Sequence, residues 1–573
     1  MNSSSAMDRV MNPSIGRFLA ATKYKGRLWA FAWPPSVLLP EDPYLTLYIS
    51  TPTPVKTLRV KIGHSKDYQY EGQAFLDGRV LNQIRDTDEF DSIIEGDFRN
   101  FCTEPTLNDR KKMYADGGLH WTKIRIPLQY QISQQHWWNL EGTARSIQGL
   151  LVAEVIADSS RKTLVHFCVC YSANARPILC VVPIFTYQAY NAWGGYSYYR
   201  KIAPGGGAED ISSSDPDRAV SLCRPLLTDI DDHFGELDYP FVKWLDSTPD
   251  VVAGTDYSLY DRVDFCTDYD IHSNGDLLLH RRALFTLGHS EYWTSEQYGT
   301  IKEWVAKGGM YVNLGGNTCW RRVISETVSA PTNSPLEAGP ARSNVWIKAE
   351  KQNQDYFYQR TEERETDLAL TGLSTAFGGI GLKKGEYKIN ANLESNLQWI
   401  VHDPTTGASL RGSFLGPALG GNNDAEFDGV PFKEEHGRVV IDKNVTTADS
   451  VGGTEFPASL HFVATCTVAQ GDCDEANPIY RVEPRLRRSP EEVTERYAVF
   501  CVNYLGKNKG PSRNVDLASG RSVVISVGTN RWISQLLDNG PAALITRNIF
   551  KKALERHTPH GSAIHREKRA RGN

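Results

Sequence analysis

Three continuous apolar runs constrain this chain more than any other feature: Ile178-Leu-Cys-Val-Val-Pro-Ile, Ala283-Leu-Phe-Thr-Leu-Gly and Met310-Tyr-Val-Asn-Leu-Gly-Gly. Runs without polar alternation belong to strands buried on both faces, as in a parallel sheet. Between the second and third, Tyr298, Ile301 and Val305 fall at i, i+3 and i+7, Trp304 fills the same face, and Gly308 supplies a C-cap. The spacing predicts strand, helix, strand, a βαβ unit of right-handed crossover. Phe241-Val-Lys-Trp-Leu-Asp predicts part of an earlier helix leading to a strand at Val263-Asp-Phe. Residues from about 176 to 330 therefore read as the heart of a flavodoxin-like, doubly wound α/β domain. Strands at Ser459-Leu-His-Phe-Val-Ala, Tyr497-Ala-Val-Phe-Cys-Val and Ser522-Val-Val-Ile-Ser-Val and a helix from Ala543 to Leu554 complete it to about residue 560, with irregular insertions around 350–450.

The preceding 25–175 stretch has a different texture. Leu45-Thr-Leu-Tyr-Ile-Ser and Thr57-Leu-Arg-Val-Lys-Ile alternate with period two between prolines and glycines. Trp121-Thr-Lys-Ile-Arg-Ile-Pro, Gly149-Leu-Leu-Val-Ala-Glu-Val-Ile and Leu164-Val-His-Phe-Cys-Val-Cys continue the series, which predicts an N-terminal β-sandwich. Residues 1–24 read as a flexible N-terminus, and 561–573 as a disordered basic tail carrying Arg566, Lys568, Arg569 and Arg571.

With 573 residues, two or three domains are expected. The net charge of -5 leaves no electrostatic footprint for nucleic acid. No run of 18 apolar residues predicts a membrane span, and the N-terminus lacks a secretory apolar region. The ten cysteines include no C-x-x-C pair, and Cys168, Cys170 and Cys180 lie in or beside strand-like runs, so a reducing, cytoplasmic setting is expected.

In open α/β sheets ligands gather beyond the carboxyl ends of the strands. After the first run comes a tyrosine-rich loop, Thr186-Tyr-Gln-Ala-Tyr190-Asn-Ala-Trp-Gly-Gly-Tyr-Ser-Tyr-Tyr199. After the second comes Gly288-His289-Ser290-Glu291-Tyr292-Trp293, an imidazole and a carboxylate two residues apart, suited to metal ligation or general-base work. After the third comes Gly315-Gly316-Asn317, followed by Trp320 and Arg321; Asn317 can donate to a carbonyl oxygen or orient a water. Each segment has a bland reading: a packed aromatic loop, a solvated turn, a plain Gly-Gly-Asn turn. Three polar clusters at three strand exits predict a pocket. Ser290 also stands in a degenerate nucleophile elbow, with Tyr292 where the last glycine belongs.

These segments resemble the C-terminal domain of the N,N-dimethylformamidase large (beta) subunit family, which combines a T-W-Q-A-Y-N-x-W-G-G-x-S loop, a G-H-x-E-Y-W segment and a G-G-N turn. Thr267-Asp-Tyr-Asp-Ile-His-Ser is similar to a further family stretch, and Tyr187 stands where the family usually has tryptophan. The resemblance implies a class I amidotransferase-like α/β domain and a hydrolase of amide or formamide C–N bonds in small molecules. It also implies a mononuclear iron held by two tyrosines and one glutamate, hard oxygen donors that suit ferric iron. Carried over by motif, Tyr190 and Glu291 are ligands, His289 acts on the water or the leaving amine, and Asn317 helps position substrate. Asp424-Ala-Glu426-Phe-Asp is similar to a later acidic segment, which makes Glu426 a candidate base. The family's second tyrosine falls in an R-P-Tyr segment, whereas here Arg224-Pro225-Leu226 offers leucine, leaving Tyr199 or Tyr239 as stand-ins. The resemblance admits a homo-oligomer or a small accessory subunit. Two other readings remain: a non-catalytic module binding a small molecule or protein, and a metal-free serine hydrolase using Ser290.

Overall fold

The computed structural model describes residues 27–39, 42–53, 55–67, 90–98, 122–128, 148–158, 161–171, 175–191, 193, 197–198, 200–202, 208–210, 219–227, 234–250, 257–328, 344–349, 366–380, 385–414, 426–442, 456–457, 459–469, 495–505 and 522–556. The expected flexible N-terminus at 1–24 and the basic tail at 561–573 lie outside them.

The three apolar runs lie side by side in a nine-stranded sheet. Its order is Val263–Thr267, Ile178–Val182, Ala283–His289, Met310–Gly316, Ser522–Ser526, Glu495–Leu505, Leu460–Ala469, Tyr387–Ile389, Ser413–Phe414. The first five strands are parallel and the remainder antiparallel. Every residue of Ile178–Val182, Ala283–His289 and Met310–Gly316 is buried, as two-faced burial requires. The helix Ser295–Ala306 buries Tyr298, Ile301, Trp304 and Val305, and the Thr294 side chain caps it by accepting from the Gln297 N–H. Gly308, at φ +104°, turns the chain out of the helix. The helix expected around Phe241 spans Tyr239–Ser247, and the closing helix spans Pro541–Glu555.

Two smaller sheets precede this one. One joins Trp29–Ala32, Tyr44–Ser50 and Thr122–Pro127; the other orders Ser36–Leu39, Arg161–Tyr171, Gly149–Asp158, Val55–His64 and Phe90–Phe98. They share one apolar cluster, with Leu45, Leu47 and Ile49 from the first meeting Leu58, Val60, Ile62, Leu151 and Phe167 from the second. In Val55–His64 the alternation holds: Leu58 and Val60 are buried while Thr57 and Arg59 are exposed. Gly149–Asp158 departs from it, with its first seven residues all buried. The reason is a second neighbour. Leu150 and Cys168 pack into the main core with Trp244, Tyr260 and Val263, while Cys170 joins Leu179, Val181 and Cys266 on the other face of the large sheet. The Tyr260 hydroxyl accepts from Leu150 N at 3.2 Å, and Ser36 Oγ donates to the Asp270 carboxylate, so polar contacts cross the same junction.

Two segments differ from their sequence reading. The first half of the tyrosine-rich loop is a helix, Ile184–Tyr190, with five of its seven residues buried, where a helical turn pairs part of the backbone and side chains from other segments take the rest. Within the 350–450 stretch, Tyr387–Ile389 and Ser413–Phe414 extend the large sheet, and Glu426–Gly429 pairs with Ser374–Ile380. Among the described residues no helix is long and apolar enough to cross a membrane.

Below the sheet's amino-terminal edge, Arg281 and Asp264 form an ion pair with neither side chain exposed. Arg281 also donates to the carbonyls of Arg176 at 2.7 Å and Leu277 at 3.1 Å. Removing Arg281 leaves the buried Asp264 carboxylate with the more distant Arg176 guanidinium, 3.9 Å away, as its charged partner. Arg281→Leu should therefore cost about 3–5 kcal/mol, read as a lower urea midpoint at unchanged slope.

Candidate functional site

The site grows from the carboxyl ends of the parallel strands. Ala283–His289 and Met310–Gly316 run in register to their last residues, so His289 stands opposite Gly316. A Cβ on Gly316 would lie 2.3 Å from the Glu426 carbonyl oxygen. Glycine is required there for the Glu426–Gly429 strand to cross this close. Asn317 then turns at φ +51°, a left-handed conformation that asparagine tolerates better than most residues.

Glu291 is 1% exposed and held from several sides. Its Oε1 accepts from Arg321 Nε at 3.1 Å. Its Oε2 accepts from the Tyr190 hydroxyl at 2.8 Å and lies 3.5 Å from His289 Nε2. The backbone N–H groups of Glu291 and Tyr292 donate to Thr186 Oγ1 at 3.0 and 3.2 Å. Thr186 and Tyr190 are one helical turn apart and therefore share a face, so one short helix grips Glu291 by backbone and side chain together. Burial works against the Glu291 charge, but the hydrogen bond and charge of His289, the Arg321 guanidinium and the Tyr190 hydroxyl outweigh it and lower the carboxyl pKa.

His289 links Glu291 to a second acid. Its Nε2 lies 2.6 Å from Glu426 Oε2, and Asn317 Nδ2 donates to the same Glu426 oxygen at 3.2 Å. Burial would lower the imidazole pKa; the charge of Glu426, with the hydrogen bonds and charge of Glu291, reverses this and lifts it to about 10. Tyr190 meets the His289 ring edge-on at 5.2 Å between centroids. Tyr190, His289, Glu291, Asn317 and Glu426 thus occupy one connected cluster drawn from four chain segments.

Other candidates fall elsewhere. Tyr199 lies outside the described residues, as does Asp424. Tyr239 packs against the main core beneath the Lys243 ammonium, and Leu226 is partly buried against the same core. Asn191 binds the backbone on both sides of Leu226, its Nδ2 donating to Pro225 O at 2.7 Å and its Oδ1 accepting from Leu227 N at 3.2 Å. Leucine therefore stands beside the Tyr190 helix and offers no phenol. Tyr187 turns away to donate to Asp238. Ser290 Oγ accepts from the Trp293 indole at 3.0 Å and is 1% exposed.

Sequence reasoning missed three supports. Arg321 followed the Gly-Gly-Asn turn without a role being read from it, and Thr186 becomes meaningful only once Ile184–Tyr190 is helical. Asp428 accepts from Asn317 N at 2.9 Å and Thr318 N at 3.2 Å, while the single hydroxyl hydrogen of Thr375 Oγ1 goes to Asp428 at 2.6 Å, with Asn317 Oδ1 3.1 Å from the same oxygen. Glu426 and Asp428 are two apart on a strand, hence on one face. Burial pushes the Asp428 carboxyl up to about 6 despite those donors.

Among the described residues no three His, Cys, Asp or Glu side chains converge as an ion-holding set. Tyr190 and Glu291 nevertheless bring two oxygen donors to one point, which is the chemistry that the implied iron takes. A family model described as N,N-dimethylformamidase beta subunit-like, C-terminal, matches residues 125–542. No curated protein matches the chain.

Behind Thr375, Ser374 Oγ donates to Asp367 Oδ2 at 2.6 Å, and burial raises the Asp367 carboxyl to about 8. Its ordinary value is about 4. Between those two values the folded chain holds a proton that the unfolded chain has released, so this group's contribution to stability is full below the lower value. It is lost as pH climbs to about 8. Asp367→Asn, neutral throughout, should flatten that decline when the urea midpoint is followed across the same pH range.

Proposed function

The chain belongs to the N,N-dimethylformamidase beta subunit-like family, and from that premise we propose that it is a metal-dependent hydrolase cleaving the C–N bond of a small amide or formamide. The observation that carries the reading is the 2.8 Å contact between the Tyr190 hydroxyl and Glu291 Oε2, with Arg321 occupying the other carboxylate oxygen. Tyr190 and Glu291 would hold the ion, iron by resemblance, and Tyr199 is the sequence candidate for a further donor. A bound ion of this kind lowers the pKa of its water and polarises an amide carbonyl.

The remaining work falls to the chain's own residues. His289 carries a proton at Nε2 between two carboxylates and delivers it to the departing amine nitrogen. Glu426 takes the proton released by the attacking water, so the water oxygen bonds to the carbonyl carbon as the C–N bond breaks. Asn317 fixes the Glu426 carboxylate through Nδ2 and is itself fixed by Asp428 and Thr375. Eight described cysteines are free and buried, which supports a reducing, cytoplasmic setting. The two smaller sheets around one cluster support the β-sandwich reading, and the parallel strands with their crossover helix support the flavodoxin-like one.

One observation favours a second reading. Leu226 beside the Tyr190 helix removes the phenol that the family places there, as a non-catalytic binding module would tolerate. The serine-hydrolase reading finds less support, because Ser290 Oγ faces the Trp293 indole while His289 is bonded to Glu426.

Elemental analysis of purified protein, with turnover of a panel of formamides and amides, tests the proposal. The wild type should hold near-stoichiometric iron and hydrolyse a member of the panel, and Glu291→Ala should lose both. Full metal content in Glu291→Ala would overturn it, and metal-free protein without turnover would favour the binding module. His289→Gln should keep the metal and slow turnover by about 10²–10⁴-fold, whereas Ser290→Ala should be nearly silent.

A further inference from the structure

The helix that carries Tyr190 is only seven residues long, too short to persist by its own hydrogen bonds. Pro183 at its N-cap offers no capping side chain. Both ends are instead held by residues from distant segments. At the start, Phe185 N donates to Asp268 Oδ2 at 3.0 Å, and burial raises the Asp268 carboxyl pKa well above its ordinary range. At the end stands Arg224, 8% exposed. Its Nη2 donates to the carbonyls of Gln188 at 2.6 Å and Asn191 at 2.9 Å, its Nη1 to Trp193 O at 3.0 Å, and its Nε to Gln188 Oε1 at 2.9 Å.

We propose that Arg224 is a positioning residue for Tyr190: its guanidinium fork binds the helix C-terminal carbonyls on either side of that tyrosine and so aims the phenol at Glu291. A planar cation with donors in fixed directions suits the orphan carbonyls and negative dipole end of a helix, and it reaches several acceptors at once. Gln188 and Asn191 complete the clamp, since their side chains return to the 222–227 segment through Arg224 O at 3.1 Å and Pro225 O at 2.7 Å. Lysine would restore the charge without the fork. The inference rests on the hydrolase reading for what Tyr190 does, though the placement of Tyr190 is measurable without it.

A double-mutant cycle on metal-free protein supplies that measurement. Tyr190→Phe deletes the bond to Glu291 and should lower the urea midpoint. In an Arg224→Met background the same change should lower it by less than half as much, because the phenol no longer sits on the carboxylate. Tyr387→Phe, which removes a bond to Val527 O at 2.7 Å, should lower the midpoint equally in both backgrounds. An equal Tyr190→Phe loss in both backgrounds would overturn the proposal. If Arg224→Met does not fold, Arg224→Lys enters the same cycle with the same criterion. Titration with ferric iron forms the second arm: Arg224→Met should bind at least about 10-fold more weakly with a weakened phenolate-to-iron absorption band, and Arg224→Lys should recover only part of both. Wild type that takes up no iron would sink the hydrolase reading alone, leaving the midpoint cycle to decide on Arg224.

Discussion

A carboxylate sealed from water must be compensated, and Glu291 is the point at which this chain meets that demand. Its two oxygens are assigned different partners: Arg321 takes one, while Tyr190 and His289 share the other. That division fixes the polarity of the site. The guanidinium side is satisfied within the protein, and the phenol and imidazole side is the one whose groups can exchange partners. The backbone N–H groups of Glu291 and Tyr292 end on Thr186, so strand exit and helix cannot shift independently.

The sheet supplies what this cluster needs. Parallel strands in register end at one level, which brings His289 and Gly316 abreast and lets Asn317 begin where Glu426 arrives. The missing side chain at Gly316 admits the Glu426 backbone, and Asp428 on the same face pins the turn by its N–H groups. Two carboxylates on one short strand thus have separate tasks, one facing the imidazole and one holding the turn.

Much of this was legible in the sequence, for a local reason. Unbroken apolar runs and a 3.6-residue period are written in consecutive residues, so the three strands and the helix Ser295–Ala306 could be read directly. His289, Glu291 and Asn317 could be found because strand exits follow those runs. Tyr190 and Glu426 depended on motif resemblance. What could not be read depends on pairings between distant segments. Asp428 meets Asn317 from 111 positions away, and nothing near either residue announces the other. Arg224 lies in a segment whose importance comes from carbonyls of a helix 33 to 36 residues earlier. The Ile184–Tyr190 segment read as a loop because its helix is too short to display a period, and Gly149–Asp158 hid its second buried face because the covering surface belongs to another unit.

That covering has a further side. Phe31, Trp33 and Tyr48 of the two smaller sheets and their connections pack in one cluster with Phe185, Ala189, Tyr190 and Tyr292, so the floor under the helix Ile184–Tyr190 is laid by residues far upstream. The two parts of the chain are consequently not interchangeable modules. A fragment starting at the first parallel strand would lose that floor and lay bare the wall that Leu150, Cys168 and Cys170 now cover. Recombination that swapped the front part for another would have to reproduce an aromatic footing as well as a join.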